Sequence, residues 1–251
     1  MLTKSHWTLS REYQHSPAAA AFSSLDKVFS LSGQHITQDT LSNVRRVEID
    51  NTGYYVKRYT RAGKGLRRYI GRSRIKAEWE NMLFFHEIGV PAAPVVAYGE
   101  EKKHGVMTRG ALITREVENT WNLKMLVDQD LPQLYSRQWM GIVISQVAAA
   151  TRKLHENNFI HTDLKWRNIL VTKTENPVIA LIDCPAGAQM SGWLLKRNIV
   201  KDLACLDKVA KEVLSQSQRL SFYKQYAGVN RLNKSDKKLI RKILGFFEGR
   251  E

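Results

Sequence analysis

The feature that most constrains this chain is the run "HTDLKWRNIL", residues 161–170, and what stands on either side of it. A long helical pattern comes first. His161 then precedes Asp163 by two positions, Asn168 follows that Asp by five, and two apolar runs, "NILVT" and "VIALID", end on Asp183. So many polar side chains ahead of an apolar strand describe a loop anchored in a core while its side chains are kept for chemistry. The preceding helix is read from "LYSRQWMGIVISQVAAATRKLHENN", apolar at Trp139, Ile142, Val143, Val147 and Ala150 and stopped at Asn157 and Asn158.

Upstream, "RRVEIDNTGYYVKRY" holds two β-rich runs around "DNTG", whose Asn and Gly are turn formers, so a hairpin is expected with Lys57 on its second strand. "AEWENMLFFHEIG" carries Trp79, Met82, Leu83 and Phe85 at helical spacing and stops at Gly89, just before "VPAAP". "APVVAYG" and "GALITREV" read as strands, and the polar "ENTWN" marks a boundary between an N-terminal lobe, 1–117 with an N-terminal extension, and a C-terminal lobe, 118–251. "IVKDLACLDKVAKEVL" and "SDKKLIRKILGFFE" read as closing helices.

Two carboxylates, an amide and a strand-borne amine are the parts that phosphoryl transfer uses. One acid accepts the acceptor's hydroxyl proton, an Asn and an Asp hold Mg²⁺, and the amine holds nucleotide phosphates. The loop resembles that of the protein-kinase-like superfamily, H-R-D-x-x-x-x-N. Within it, "HTDLKWRNILV", "YYVKRY", "AEWENMLFFHEIGVPAAPVVAYG" and "KDLACL" are most similar to the bacterial lipopolysaccharide inner-core kinases, the Kdo/WaaP (InaA-like) family, over Arg45 to Leu214.

The resemblance implies an α+β, two-lobed protein-kinase-like fold with a small β-rich N-lobe and a mainly helical, shortened C-lobe. It implies ATP and Mg²⁺ as cofactors. Asp163 matches the catalytic base, Lys165 the lysine that touches the transferred phosphate, and Lys57 the nucleotide lysine. Glu78 matches the helix glutamate that pairs with Lys57, with Glu80 a competitor, and Asn168 and Asp183 match the metal ligands. His161 is expected to be structural. Asp202 matches a buried aspartate bracing the loop, the alternative being a helix N-terminal charge on the dipole.

The chain also departs from the superfamily pattern. No GxGxxG precedes Lys57, "DCP" stands where D-F-G is usual, and the stretch from Asp183 to Asp202 is too short for an activation segment, which disfavours a peptide substrate. Pro185 restricts Cys184, so a rigidly held Asp183 is expected, with Cys184 packed as a small apolar group.

A net charge of +15 and a pI near 9.9 call for an anionic partner. The basic segment 58–76, with Arg61, Lys64, Arg67, Arg68, Arg72, Arg74 and Lys76, suits an acceptor rich in phosphates and carboxylates at an anionic membrane, or else is a solvated loop. Two cysteines without metal spacing, no leader-like apolar core and no apolar run near bilayer length lead to an expected cytoplasmic location, with peripheral contact at the inner face of the inner membrane. The expected reaction is phosphorylation of a heptose or Kdo hydroxyl on an anionic glycolipid, the lipopolysaccharide core. The rivals are a kinase of the same fold acting on another small molecule or a protein, and a catalytically silent scaffold. Nucleic acid is not expected as a partner, since no signature for it is present.

Overall fold

The computed structural model describes residues 3–61 and 72–249. It divides into two compact units, one running up to Phe84 and resuming over Ala93–Glu118, the other comprising Phe85–Ala92 and the chain from Asn119 onward.

The first unit is built on a six-stranded antiparallel sheet of β1 (Thr3–Leu9), β2 (Gln34–Gln38), β3 (Ser42–Ile49), β4 (Thr52–Tyr59), β5 (Val95–Lys103) and β6 (Val106–Arg115), in the order β1-β5-β6-β4-β3-β2. The β3–β4 hairpin closes through Asp50 and Asn51, both left-handed at φ 51° and 56°, with Ile49 opposite Thr52. That is the two-residue turn whose twist matches the strands. Gly53, expected to serve the turn, sits on β4 instead. A Cβ there would lie 1.8 Å from Glu116 Oε2, so a larger residue would have to displace that carboxylate.

Alternation along β4 sorts its side chains. Tyr54 and Val56 join a core made with Tyr13, Phe22, Leu25 and Val28 of the N-terminal segment, the last two from α1 (Leu25–Ser30). Burying such side chains contributes about 1.5–3 kcal/mol each. Lys57 and Tyr59 project from the other face, toward α2 (Arg74–Glu87), and Trp79 of α2 stacks on Tyr98 of β5 with centroids 5.5 Å apart. The sheet therefore has an apolar side and a side that holds a charged group.

The second unit is mainly helical: α3 (Leu123–Asp128), α4 (Arg137–Glu156), α5 (Gly192–Val213), α6 (Gln216–Ala227) and α7 (Lys234–Leu244). A three-stranded sheet joins β7 (Thr120–Asn122), β9 (Ile169–Thr172) and β10 (Ile179–Leu181), and β8 (Phe159–Ile160) pairs with β11 (Ala188–Gln189). Ser136 caps α4 by accepting from the Trp139 amide, and Asn158, at φ 57°, turns the chain out of it. The buried stripe of α4 runs through Trp139, Met140, Val143, Ile144 and Val147, so Ile144 rather than Ile142 is the core isoleucine. Among the described residues no helix is long and apolar enough to cross a membrane.

Candidate active site

Within the sheet unit, Lys57 Nζ donates to Glu78 Oε1 at 3.0 Å and to Oε2 at 2.8 Å. Glu78 is 4% exposed and also accepts from the Tyr59 hydroxyl at 3.3 Å. Burial, then the Glu78 charge, push the Tyr59 phenol far above its usual pKa, so it stays a donor. The helix decides which glutamate is used. Glu78 and Glu80, two positions apart, face different ways on α2, and Glu80 turns to Arg72 at 2.9 Å and Lys76 at 3.7 Å.

Within the helical unit, the loop after β8 is held from inside. The His161 amide donates to Asp202 Oδ2 at 2.8 Å, and both residues are fully buried. Asp202 lies ten positions into α5, well past the first turn where an acid meets the helix dipole, so its place is that of a brace. Trp166 Nε1 donates to the Leu206 carbonyl at 3.0 Å, a second tie to the same helix. His161 stacks on Phe85 with centroids 6.0 Å apart. Burial drives its pKa down, against the opposite pull of Asp202, Asp163 and Asp183, so the ring is neutral. Those three carboxylates thus all lie within electrostatic reach of one buried imidazole.

Asp163 is half-buried at the tip of the loop. Burial raises its pKa, but Lys165, whose ammonium contacts Oδ1, and Arg167, at 3.2 Å from Oδ2, outweigh that and hold the carboxyl below its usual value. Asn168 Nδ2 donates to the Asp163 carbonyl at 2.9 Å and to Oδ2 at 3.2 Å, which pins the acid's rotamer. Its carbonyl oxygen is then the group Asn168 has left to offer. The Asn168 backbone carbonyl in turn accepts from the Ile182 amide at 3.0 Å and fixes the strand end that carries Asp183, itself left-handed at φ 59°.

Oxygen donors from one amide and one carboxylate suit Mg²⁺, which keeps water and substrate phosphate in the rest of its shell. Among the described residues no three His, Cys, Asp or Glu side chains cluster as a metal site. Cys184 is fully buried, its Sγ 3.7 Å from the His161 carbonyl, and a Cβ on Gly187 would lie 2.4 Å from that sulfur. It packs as a small apolar group.

Arg167 was not anticipated as a contact of Asp163. It occupies a position the loop pattern leaves free, and only the four-residue spacing across a helical turn could have flagged it. Lys64, Arg67 and Arg68 of the basic segment lie outside the described residues.

A strand lysine held by a helix glutamate, and an Asp-to-Asn loop braced from a buried helical aspartate, define the class: this is a protein-kinase-like chain. Residues 29–226 match the model of the "Lipopolysaccharide kinase (Kdo/WaaP) family", and the chain belongs to that family. It is similar to 3-deoxy-D-manno-octulosonic acid kinase of Haemophilus influenzae (32% identical over 105 residues, 41% of this chain and 40% of that protein). It is also similar to lipopolysaccharide core heptose(I) kinase WaaP of Pseudomonas aeruginosa (26% over 197 residues, 72% of each). The matched part thus spans 40% of the length of the first relative and 72% of the second. A solved structure described as WaaP in complex with acyl carrier protein has the same fold, with a TM-score of 0.72 at 21% identity over 98% of this chain and 97% of that one.

Proposed function

We propose that the chain is an ATP- and Mg²⁺-dependent kinase that phosphorylates a sugar hydroxyl, of heptose or Kdo, in the inner core of lipopolysaccharide at the cytoplasmic face of the inner membrane. The observation that carries this reading is the locked Asp163 carboxylate, gripped by Asn168 and faced by Lys165. Asp163 orients the acceptor hydroxyl and takes its proton late, as a weak base suffices when bond making lags behind bond breaking. Lys165 moves from Asp163 to the phosphoryl oxygens as their charge spreads, and Lys57, aimed by Glu78, holds the phosphates of the nucleotide. Asn168 and Asp183 would hold Mg²⁺, which when bound neutralises charge on the phosphate oxygens. Support for the acceptor comes from the family and from what the two relatives are named for.

The test is transfer of radiolabelled phosphate from ATP to purified core oligosaccharide, with Asp163→Asn as control. Labelling of the sugar by the wild type, and a loss of about 10³-fold or more in the variant, is expected. Undiminished transfer by Asp163→Asn removes the acid from its role. Labelling of lysate protein in place of the core moves the reading to a different acceptor, and failure to use ATP at all moves it to a scaffold.

A further inference from the structure

We propose that the first turns of α5 are a docking surface for an anionic lipid bilayer. The proposal rests on the reading above, in which the acceptor is a glycolipid, and adds the surface by which the protein meets the lipid. Trp193 is 66% exposed and Leu194 47% exposed, at the start of a helix whose later residues are buried. Trp193, Arg197 and Lys201 follow one another at steps of four and so share a stripe, with Leu194 and Lys196 beside it. The Arg197 guanidinium lies over the Trp193 ring, 5.9 Å from its centroid. Leu203, Leu206 and Ala210 face the interior.

An indole, a leucyl side chain and flanking cations are the composition that settles at the boundary between headgroups and acyl chains. The aliphatic stems of Lys196 and Arg197 can lie along the apolar groups while their charges meet lipid phosphates. No acidic residue occurs from Ser191 to Lys201, and the next one, Asp202, is buried in its bond to the catalytic loop. The charge of the stretch itself is wholly basic and complements an anionic surface, in a chain whose net charge is +15.

The patch is also tied to the loop it would serve. The Met190 amide donates to the Asn158 carbonyl at 2.8 Å, extending the β8–β11 pairing that leads into His161. Asn198 Nδ2 donates to the Leu194 carbonyl at 2.9 Å and reaches the Met190 sulfur at 3.4 Å, fixing the first turns of the helix to that pairing. Ten positions separate Asp183 from Trp193, a span of at most about 35 Å. A surface seated on Trp193 would keep a membrane-anchored sugar near the reacting groups of this unit.

The full chain is to be sedimented with phosphatidylcholine vesicles and with vesicles that also contain phosphatidylglycerol. Binding is expected to the anionic vesicles alone and to weaken with added salt. The Lys196→Ala/Arg197→Ala pair should lower the partition coefficient about thirtyfold at low ionic strength. The Trp193→Ala/Leu194→Ala pair should lower it roughly tenfold at all salt concentrations. Vesicle binding unchanged in both pairs overturns the proposal, as does a loss of binding to a protein partner with vesicle binding intact. Phosphate transfer to deacylated core oligosaccharide is measured alongside and should be unchanged in both pairs. Asp163→Asn should lose transfer and keep vesicle binding. Absence of transfer in the wild type, with patch-dependent vesicle binding, would sink the function and leave the docking surface standing.

Discussion

His161 has no exposed surface, and neither of its ring nitrogens has a hydrogen-bond partner among the described residues. Its neutral form is therefore imposed by burial. Below the ordinary value of 6.5 the unfolded chain takes up a proton here that the folded one refuses. The stability linked to this residue is thus full above that value and is lost as pH falls below it. His161→Leu should flatten that part of a melting-temperature profile. At neutral pH it should cost less than about 1.5 kcal/mol, because two unpaired nitrogens disappear with little change in volume. Asp163 titrates in a different window. Its folded pKa is lowered from 3.8, so its contribution is present above that value and is lost as pH falls through the depressed folded one. An Asp163→Asn profile should lack that contribution at higher pH and converge on the wild type only as pH falls through that more acidic range. Glu78→Gln removes the carboxylate charge to which the Lys57 ammonium donates at 2.8 Å. A loss of about 2–4 kcal/mol is expected by chemical denaturation, low in the range for buried pairs because 18% of the Lys57 side chain is exposed.

At the scale of elements, Asp202 shows how a helix serves a loop. Asp202→Ala strands the buried His161 amide without an acceptor, an expected cost of about 1–3 kcal/mol, with faster hydrogen exchange at that amide as the specific sign. The role of Asp202 was open in the sequence because a charge near a predicted helix start has two readings. Only the true start of α5 at Gly192, which the periodicity of "IVKDLACLDKVAKEVL" missed, chooses between them. α2, α4 and β9 were legible because their buried residues recur with the period of a helix or a strand, β4 because β-rich runs flank turn formers, and β10 because it is one wholly buried apolar run. β1 was not, since most of it is exposed and no alternation marks it, although it pairs with β5 throughout. α6 was also missed, for it buries only Tyr223. Its signal lay in its caps, the Ser215 and Gln218 capping box and the left-handed Gly228. Ser215→Ala should cost about 1 kcal/mol, read from the denaturation midpoint. The Lys57 to Glu78 pairing was legible only through the resemblance to the family, and the choice over Glu80 depends on which way α2 is rolled, which the Trp79 stack on Tyr98 sets.

At the scale of the whole molecule, a ligand that binds only the folded state stabilises it by mass action, by about 2.7 kcal/mol at a hundred times its dissociation constant. Nucleotide titrations followed by calorimetry can therefore separate the proposed roles without any acceptor being known. ADP alone should raise the melting temperature, and adding Mg²⁺ should raise it further. Lys57→Met should shrink the nucleotide shift with and without the metal, because it removes a cation that meets phosphate directly. Asp183→Asn should leave the metal-free shift near that of the wild type and abolish the increment from Mg²⁺, because it removes the one anionic ligand of the proposed pair, Asn168 being neutral. Because the chain has two compact units, the unfolding trace is to be fitted without assuming one transition, and the shift is read from whichever transition moves. A wild type that ignores nucleotide under all these conditions contradicts the kinase reading, whatever the lipid and sugar experiments return. A metal increment that survives Asp183→Asn contradicts only the assignment of the ligand.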